Sequence, residues 1–204
     1  ITAIAAVAFS RQANGSLIEK DGKVIGSELI GQPFAKPEYF HPRPSAAGNG
    51  YDATASAGTN KGPTDRKLAD SLIGPRADSL VAAGVARGSI PTDAVTASAS
   101  GLDPHISPAN AYLQVARVAK ARGVDSAAVR RVLDAHVEGR QFGFFGEPRV
   151  NVLMLNIALD SAFAAGAYAR AGVPAEKLLV AHNGAESGRM GPPADKAAAR
   201  AALG

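Results

Sequence analysis

The chain has no cysteine and no tryptophan among its 204 residues, only two methionines, and no apolar run of bilayer length. Each absence removes a class of answer. Without thiols there is no disulfide and no thiolate metal site, and the compartment stays open between a cytoplasmic and a bacterial extracytoplasmic setting. Aromatics make up 5% of the chain, so the 46% apolar fraction leans on alanine and small aliphatics, and the core has to pack through small side chains. A dominant charge sign is lacking too. Twenty-two Lys and Arg against eighteen Asp and Glu leave +4 spread along the chain, with no basic block of the kind that nucleic acid attracts. The stretch from Ile1 to Phe9 (ITAIAAVAF) is uncharged and apolar. A helix of that length rises only about 14 Å, against a hydrocarbon core of about 30 Å. It therefore reads either as the end of a buried element or as the remnant of a membrane helix, and neither a charged n-region nor a cleavage site marks a secretory signal.

What is there suffices for one main core with a small module or tail beside it. Ser16 to Lys20 and Lys23 to Gly26 flank Asp21-Gly22, a dipeptide that tolerates the positive φ of a two-residue turn, and predict a β-hairpin. Gly31 to Pro63 is crowded with Gly, Pro, Asn and Ser and reads as a long loop. Its aromatics Phe34, Tyr39, Phe40 and Tyr51 argue for order. Thr64 is expected to cap a helix carrying Leu68, Leu72 and Ile73, with further helix from Arg76 to Ala86. Pro91 to Ser100, small and β-branched, reads as a strand or extended segment. The strongest local signal follows: Ser107 as cap, Pro108 at the first helical position, Tyr112, Val115, Ala116 and Ala119 on one face, and Gly123 beyond the end. A second helix is expected from Asp125 to about His136, with Val124 and Val129 placed for a hydrophobic staple. Only Arg130 and Arg131 could give this pair a DNA-reading face. Glu138 to Pro148 is a glycine-punctuated loop with an aromatic centre, and Val150 to Leu159 reads as an apolar helix that shares a core with the previous two. The predicted class is α+β, a small hairpin and sheet region with a helical half. The expected divisions are 1–9, 10–160 and an Ala-rich extension over 161–204, read as a helical segment, a flexible loop and a frayed end.

Ser98, Ser100, Asp103 and His105 lie close together in sequence and raise a serine hydrolase reading in which Ser98 or Ser100 works with His105. No Gly-x-Ser-x-Gly elbow supports it, and Asp103-Pro104 reads as a turn ahead of Ser107. His41, His105, His136 and His182 lack ligand spacing, so no metal site is expected. Gly58 to Thr64 resembles a phosphate loop but has no Gly-Lys-[Ser/Thr]. Gln32 and the pair Arg140-Gln141 put amides and a guanidinium on loops, where they could bond ribose and phosphate or cap nearby backbone. A free-standing binding module is a third reading, suited to the aromatic-rich loop.

Six stretches carry a resemblance: Gln12-Ala-Asn-Gly-Ser-Leu, Gly26-Ser-x-Leu-Ile-Gly-Gln32, Tyr39-Phe-His-x-Arg-Pro-Ser45, Val95-Thr-Ala-Ser-x-Ser-Gly-Leu-Asp103, His105-Ile-Ser-Pro108 and Glu147-Pro-Arg-Val-Asn151. In that order they are similar to the C subunit of Kdp-type potassium-transporting ATPases, from about Gln12 to Asp160, with no match over Ser161 to Gly204. The resemblance implies a subunit without catalysis of its own in a high-affinity, ATP-driven potassium uptake complex. It implies one N-terminal membrane helix, a bacterial inner-membrane location and a soluble domain on the extracytoplasmic side. The implied partners are a channel-like potassium subunit, a P-type ATP-hydrolysing subunit and a small single-helix subunit. Two roles go with the family: raising the pump subunit's affinity for ATP, and capping the potassium entrance. The first points to Gln141 with Arg140 beside it, so the only cofactor implied is ATP reached through the pump subunit. The motif residues Gln32, Tyr39, His41, Arg43, Asp103, His105, Arg149 and Asn151 are the candidates for partner contact. Ser10-Arg11 stands where the family has an aromatic and a proline at the end of its span.

Overall fold

Hairpin formation around Gly22 follows the sequence expectation: Gly22 takes φ 73°, and β1 (Leu17–Lys20) pairs antiparallel with β2 (Lys23–Ser27), with a bulge between Ile18 and Glu19. The computed structural model describes residues 2–20 and 22–170, and a first compact unit ends at Leu159. Ahead of the hairpin lie two short helices, α1 (Thr2–Ala8) and α2 (Ser10–Ala13), with Ile4, Val7 and Phe9 exposed. Among the described residues no helix is long and apolar enough to cross a membrane.

After a long loop, α3 (Gly74–Ala82) is entered through a wide π-type turn over Leu68–Ile73. The cap expected of Thr64 falls to its neighbour. Asp65 accepts from the Lys67 N–H at 2.8 Å and is held by Lys61 at 3.0 Å. Of the strand or extended segment expected over Pro91 to Ser100, the strand does not form: Thr92–Val95 is a single helical turn, α4, and Thr96 after it is extended. Its carbonyls explain why. Those of Val95, Thr96 and Ala97 accept from the guanidiniums of Arg76 (2.9 Å) and Arg43 (3.4 and 3.2 Å), so no strand partner is required.

The first sheet residues after the hairpin are β3 (His105–Ile106), followed by α5 (Pro108–Arg122). Ser107 caps α5 as expected, accepting from Asn110 N–H at 3.1 Å, and Gly123 closes it in the left-handed region at φ 63°. Asp125 caps α6 (Ser126–Asp134) through Ala127 N–H at 3.0 Å. Next come β4 (Val137–Glu138) and β5 (Arg149–Asn151), with β5 central in a three-stranded antiparallel sheet of order β3-β5-β4. The helix expected from Val150 starts later, as α7 (Val152–Arg170). Asn151 is the reason: its carboxamide oxygen accepts from Met154 N–H at 3.2 Å, which caps the helix and leaves Val150 to the sheet. Beyond Leu159 the description is limited to the rest of α7, so the loop and frayed end expected further on lie outside the described residues.

The core gathers Val115 and Val118 of α5, Val129 and Leu133 of α6, Val150 of β5, and Val152, Leu155 and Leu159 of α7. Among the described residues its one fully buried aromatic, Phe40, comes from the long loop. Asn156 of α7 pairs with both backbone groups of Phe40, accepting from its N–H at 2.8 Å and donating to its carbonyl at 3.0 Å. Gln114 of α5 does the same for His41, at 2.7 and 3.0 Å. Two side-chain amides thus replace the ladder that a neighbouring strand would supply, and the loop bridges α5 and α7.

Candidate functional site

Two regions collect the residues singled out in the sequence. The first is a latch between the long loop and the segment before β3. The Arg43 guanidinium donates to Asp103 Oδ2 at 3.2 Å, and Asp103 Oδ1 accepts from His105 N–H at 3.0 Å and faces the His105 ring nitrogen Nδ1 at 3.3 Å. Burial pushes the Asp103 carboxyl up, but the hydrogen bonds from His105 and the charges of His105 and Arg43 outweigh it and hold it below its ordinary value. Tyr51 donates its hydroxyl to the Arg43 carbonyl, and burial raises its pKa. Ser45 completes the latch, donating to Gly101 O at 2.7 Å and accepting from Tyr51 N–H at 2.8 Å. Backbone approaches backbone closely here: a Cβ on Gly101, at φ 69°, would sit 2.6 Å from Ala57 O, and one on Gly31 would sit 2.7 Å from Asp103 O. The small residues of these motifs are what the docking of two loops requires.

Tyr39 and His41 lie on the same loop further back. Phe34 packs on Tyr39 at 5.5 Å, and the Arg122 guanidinium sits 5.1 Å from the Tyr39 ring centre. Arg117 donates to the carbonyls of Pro37 (2.7 Å) and Tyr39 (3.0 Å) and lies 3.4 Å from the His41 ring, whose Nε2 meets Lys36 O at 3.0 Å. Burial is the main cause that lowers the His41 pKa, with the Arg117 charge adding to it. Asn151 donates to Glu28 O at 2.8 Å, which ties the sheet to the first hairpin, and Gln32 lies against Gly26 of β2. Tyr39, His41, Arg43, Asp103, His105 and Asn151 are thus half-buried or buried and engaged within the chain.

The second region is the β4–β5 hairpin. Arg149 pairs with Glu138 across it at 2.8 Å, and Arg140 pairs with Glu147 at 2.8 Å. Gln141 and Phe145 exchange both backbone hydrogen bonds at 2.9 Å, which closes a tight turn over Phe142, Gly143 and Phe144. Every residue from Glu138 to Glu147 is exposed. The Gln141 carboxamide makes no side-chain hydrogen bond among the described residues, so it caps no backbone. The sequence reads over this segment as a glycine-punctuated loop with an aromatic centre. Its missed signal is the pair of Glu and Arg residues placed symmetrically about a glycine-containing centre, a pattern suited to cross-strand pairing.

Ser98 and Ser100 are not brought to His105. Their hydroxyls lie 3.5 Å from each other, Ser100 Oγ accepts from Leu102 N–H at 3.1 Å, and the described bond of the His105 ring is to Asp103. Among the described residues no three His, Cys, Asp or Glu side chains converge in a way that could hold a metal ion.

Residues 1–161 match the family described as "K+-transporting ATPase, c chain" (KdpC). The chain is 62% identical over 162 residues to a Gemmatimonas aurantiaca protein named potassium-transporting ATPase KdpC subunit, covering 79% of this chain and 81% of the relative. Proteins of the same name from Koribacter versatilis (56% over 166 residues, 78% and 82% covered) and Caulobacter vibrioides (56% over 165 residues, 80% and 82% covered) are also similar. A matched span that contains both the latch and the aromatic-tipped hairpin, at this level of identity, places the chain in the KdpC family of potassium-transporting ATPase subunits.

Proposed function

We propose that this chain is an accessory subunit of an ATP-driven potassium uptake complex, one that supports the pump through contact with its partner subunits and turns over no nucleotide itself. The engagement of Arg43, Asp103 and His105 in a structural latch carries this reading, because the one cluster that suggested hydrolysis is used to hold two loops together. A second, finer reading has Gln141 help the ATP-hydrolysing subunit hold nucleotide. Its free carboxamide favours this, since it keeps both a donor and an acceptor for ribose hydroxyls. Arg140 is the weaker member, being already paired with Glu147. The partners are those the family resemblance implies: a channel-like potassium subunit, the P-type subunit and a small single-helix subunit, in a bacterial membrane.

One reconstitution tests both readings. The full chain alone should hydrolyse no ATP, and potassium-stimulated ATPase of the other subunits should rise when it is added. Turnover by the isolated chain that survives removal of contaminants would overturn the accessory role. In the same complex, Gln141→Ala should raise the ATP concentration needed for half-maximal activity by about threefold to tenfold, the loss of one or two hydrogen bonds, with assembly and potassium dependence unchanged. An unaltered ATP dependence would remove the nucleotide reading and leave the accessory role standing.

A further inference from the structure

The β4–β5 hairpin ends in three phenylalanines that nothing covers: Phe142, Phe144 and Phe145 are 86%, 64% and 59% exposed. Phenylalanine is ordinarily a core residue, and three together at the end of a hairpin are costly to leave in water. The turn that presents them is built rather than loose. Besides the two Gln141–Phe145 bonds, Gly143 N–H donates to Arg140 O at 3.1 Å and Phe144 N–H to Gln141 O at 3.2 Å. Phe142 itself holds φ 53°, a conformation that bulky residues adopt rarely, and the rings of Phe144 and Phe145 lie 4.3 Å apart. A strained residue in a closed turn is the mark of a segment whose shape is used.

We propose that this tip is a membrane-interface anchor that seats its three rings at the boundary between headgroups and acyl chains of a lipid bilayer. Four observations select lipid. The rings carry no polar group, so no hydrogen-bonding partner is needed. Of the five backbone N–H groups from Gln141 to Phe145, four are satisfied within the turn, so that of Phe142 is the one that would look to the polar headgroups at the boundary. The stem charges cancel in pairs, Glu138 with Arg149 and Arg140 with Glu147, so the stem offers no net charge to attract or repel a charged surface. Finally, the ten consecutive exposed residues from Glu138 to Glu147 make a projection, and fluid lipid adapts to a projection whereas a protein partner has to supply a matching cavity. The anchor lies apart from Ile1–Phe9 in the chain and does not depend on the nucleotide reading of Gln141. Insertion of the tip would orient the domain on the bilayer.

The chain has no tryptophan, so Phe144→Trp in the full chain gives a single reporter at the tip. With neutral phosphatidylcholine vesicles its emission should shift to the blue and be quenched by lipids brominated in the upper acyl chain. The triple variant Phe142→Ser, Phe144→Ser, Phe145→Ser should bind the same vesicles at least about tenfold more weakly than the parent chain, with an unchanged melting temperature. That comparison cancels any binding by the N-terminal apolar residues. An unquenched reporter together with unchanged vesicle binding by the triple variant overturns the proposal. So does binding seen only on anionic vesicles and abolished by salt, which assigns it to net charge, or a reporter that responds only when the other pump subunits are added, which assigns the tip to a protein contact.

Discussion

Asn156 is a polar residue inside an otherwise apolar stretch from Val152 to Leu159, and it is almost completely buried. Such a residue is tolerated when both polar atoms of its side chain find a partner, and here the partners are the N–H and carbonyl of Phe40, whose ring fills the core. The amide therefore does for the loop what a strand would do, at the cost of depending on one side chain. Asn156→Leu keeps the volume and removes both bonds, leaving two buried backbone groups unpaired. Its expected cost is about 2–5 kcal/mol in a urea melt, well above the average value of a hydrogen bond, because desolvation of the orphaned groups dominates. Gln114→Leu acts on the neighbouring residue His41, but at a half-buried position that water can reach, and should cost less than half as much.

Elements bounded by their own capping chemistry were legible from sequence, and those bounded by distant partners were not. Helix α5 carries its start at Ser107-Pro108 and its stop at Gly123, and α6 its start at Asp125, so local pattern and final structure agree. The stretch from Pro91 to Ser100 has strand-like composition, but Arg76 and Arg43 reach the carbonyls of Val95, Thr96 and Ala97 from elsewhere in the chain and take the place of a strand partner. No local pattern contains that information. Strands β3 and β4 are two residues each and fall below any periodicity signal, while Val150, apolar and adjacent to a helix, reads as helical although the Asn151 cap leaves it in β5. The shared core of α5, α6 and α7 was legible, because their apolar spacing had to face something. Leu155 is fully buried in it, so Leu155→Ala should cost about 2–5 kcal/mol by denaturant melt.

For the molecule as a whole, the family was legible in its motifs, and the contacts those motifs make within the fold were not. Tyr39, His41, Arg43, Asp103 and His105 belong to the motifs that carry the family resemblance, which made them candidates for partner contact. In the fold they close the long loop onto α5 and onto the segment before β3, a use that only three-dimensional proximity reveals. This closure makes the whole chain sensitive to acid in a defined sense. Burial lowers the His41 pKa below the ordinary 6.5, so below that pH the unfolded chain takes up a proton that the folded chain resists. Stability contributed by neutral His41 is complete above pH 6.5 and declines as pH falls from there through the folded-state value. Asp103 adds a second loss further down: its carboxyl is held below 3.8, so its contribution is complete above that pH and disappears as pH falls through its folded-state value. His41 lies on the long loop and Asp103 on the segment to which Arg43 latches that loop, so the two losses should appear as successive steps in one cooperative transition. Urea midpoints measured from pH 8 to pH 3 should hold steady down to about 6.5 and then fall. His41→Gln, which keeps a donor near the Lys36 carbonyl without a titrating ring, should flatten the first step and leave the second. A parent chain whose midpoint does not move between pH 7 and pH 5 would show that His41 is freely protonated in the folded state and that the loop is not closed over it.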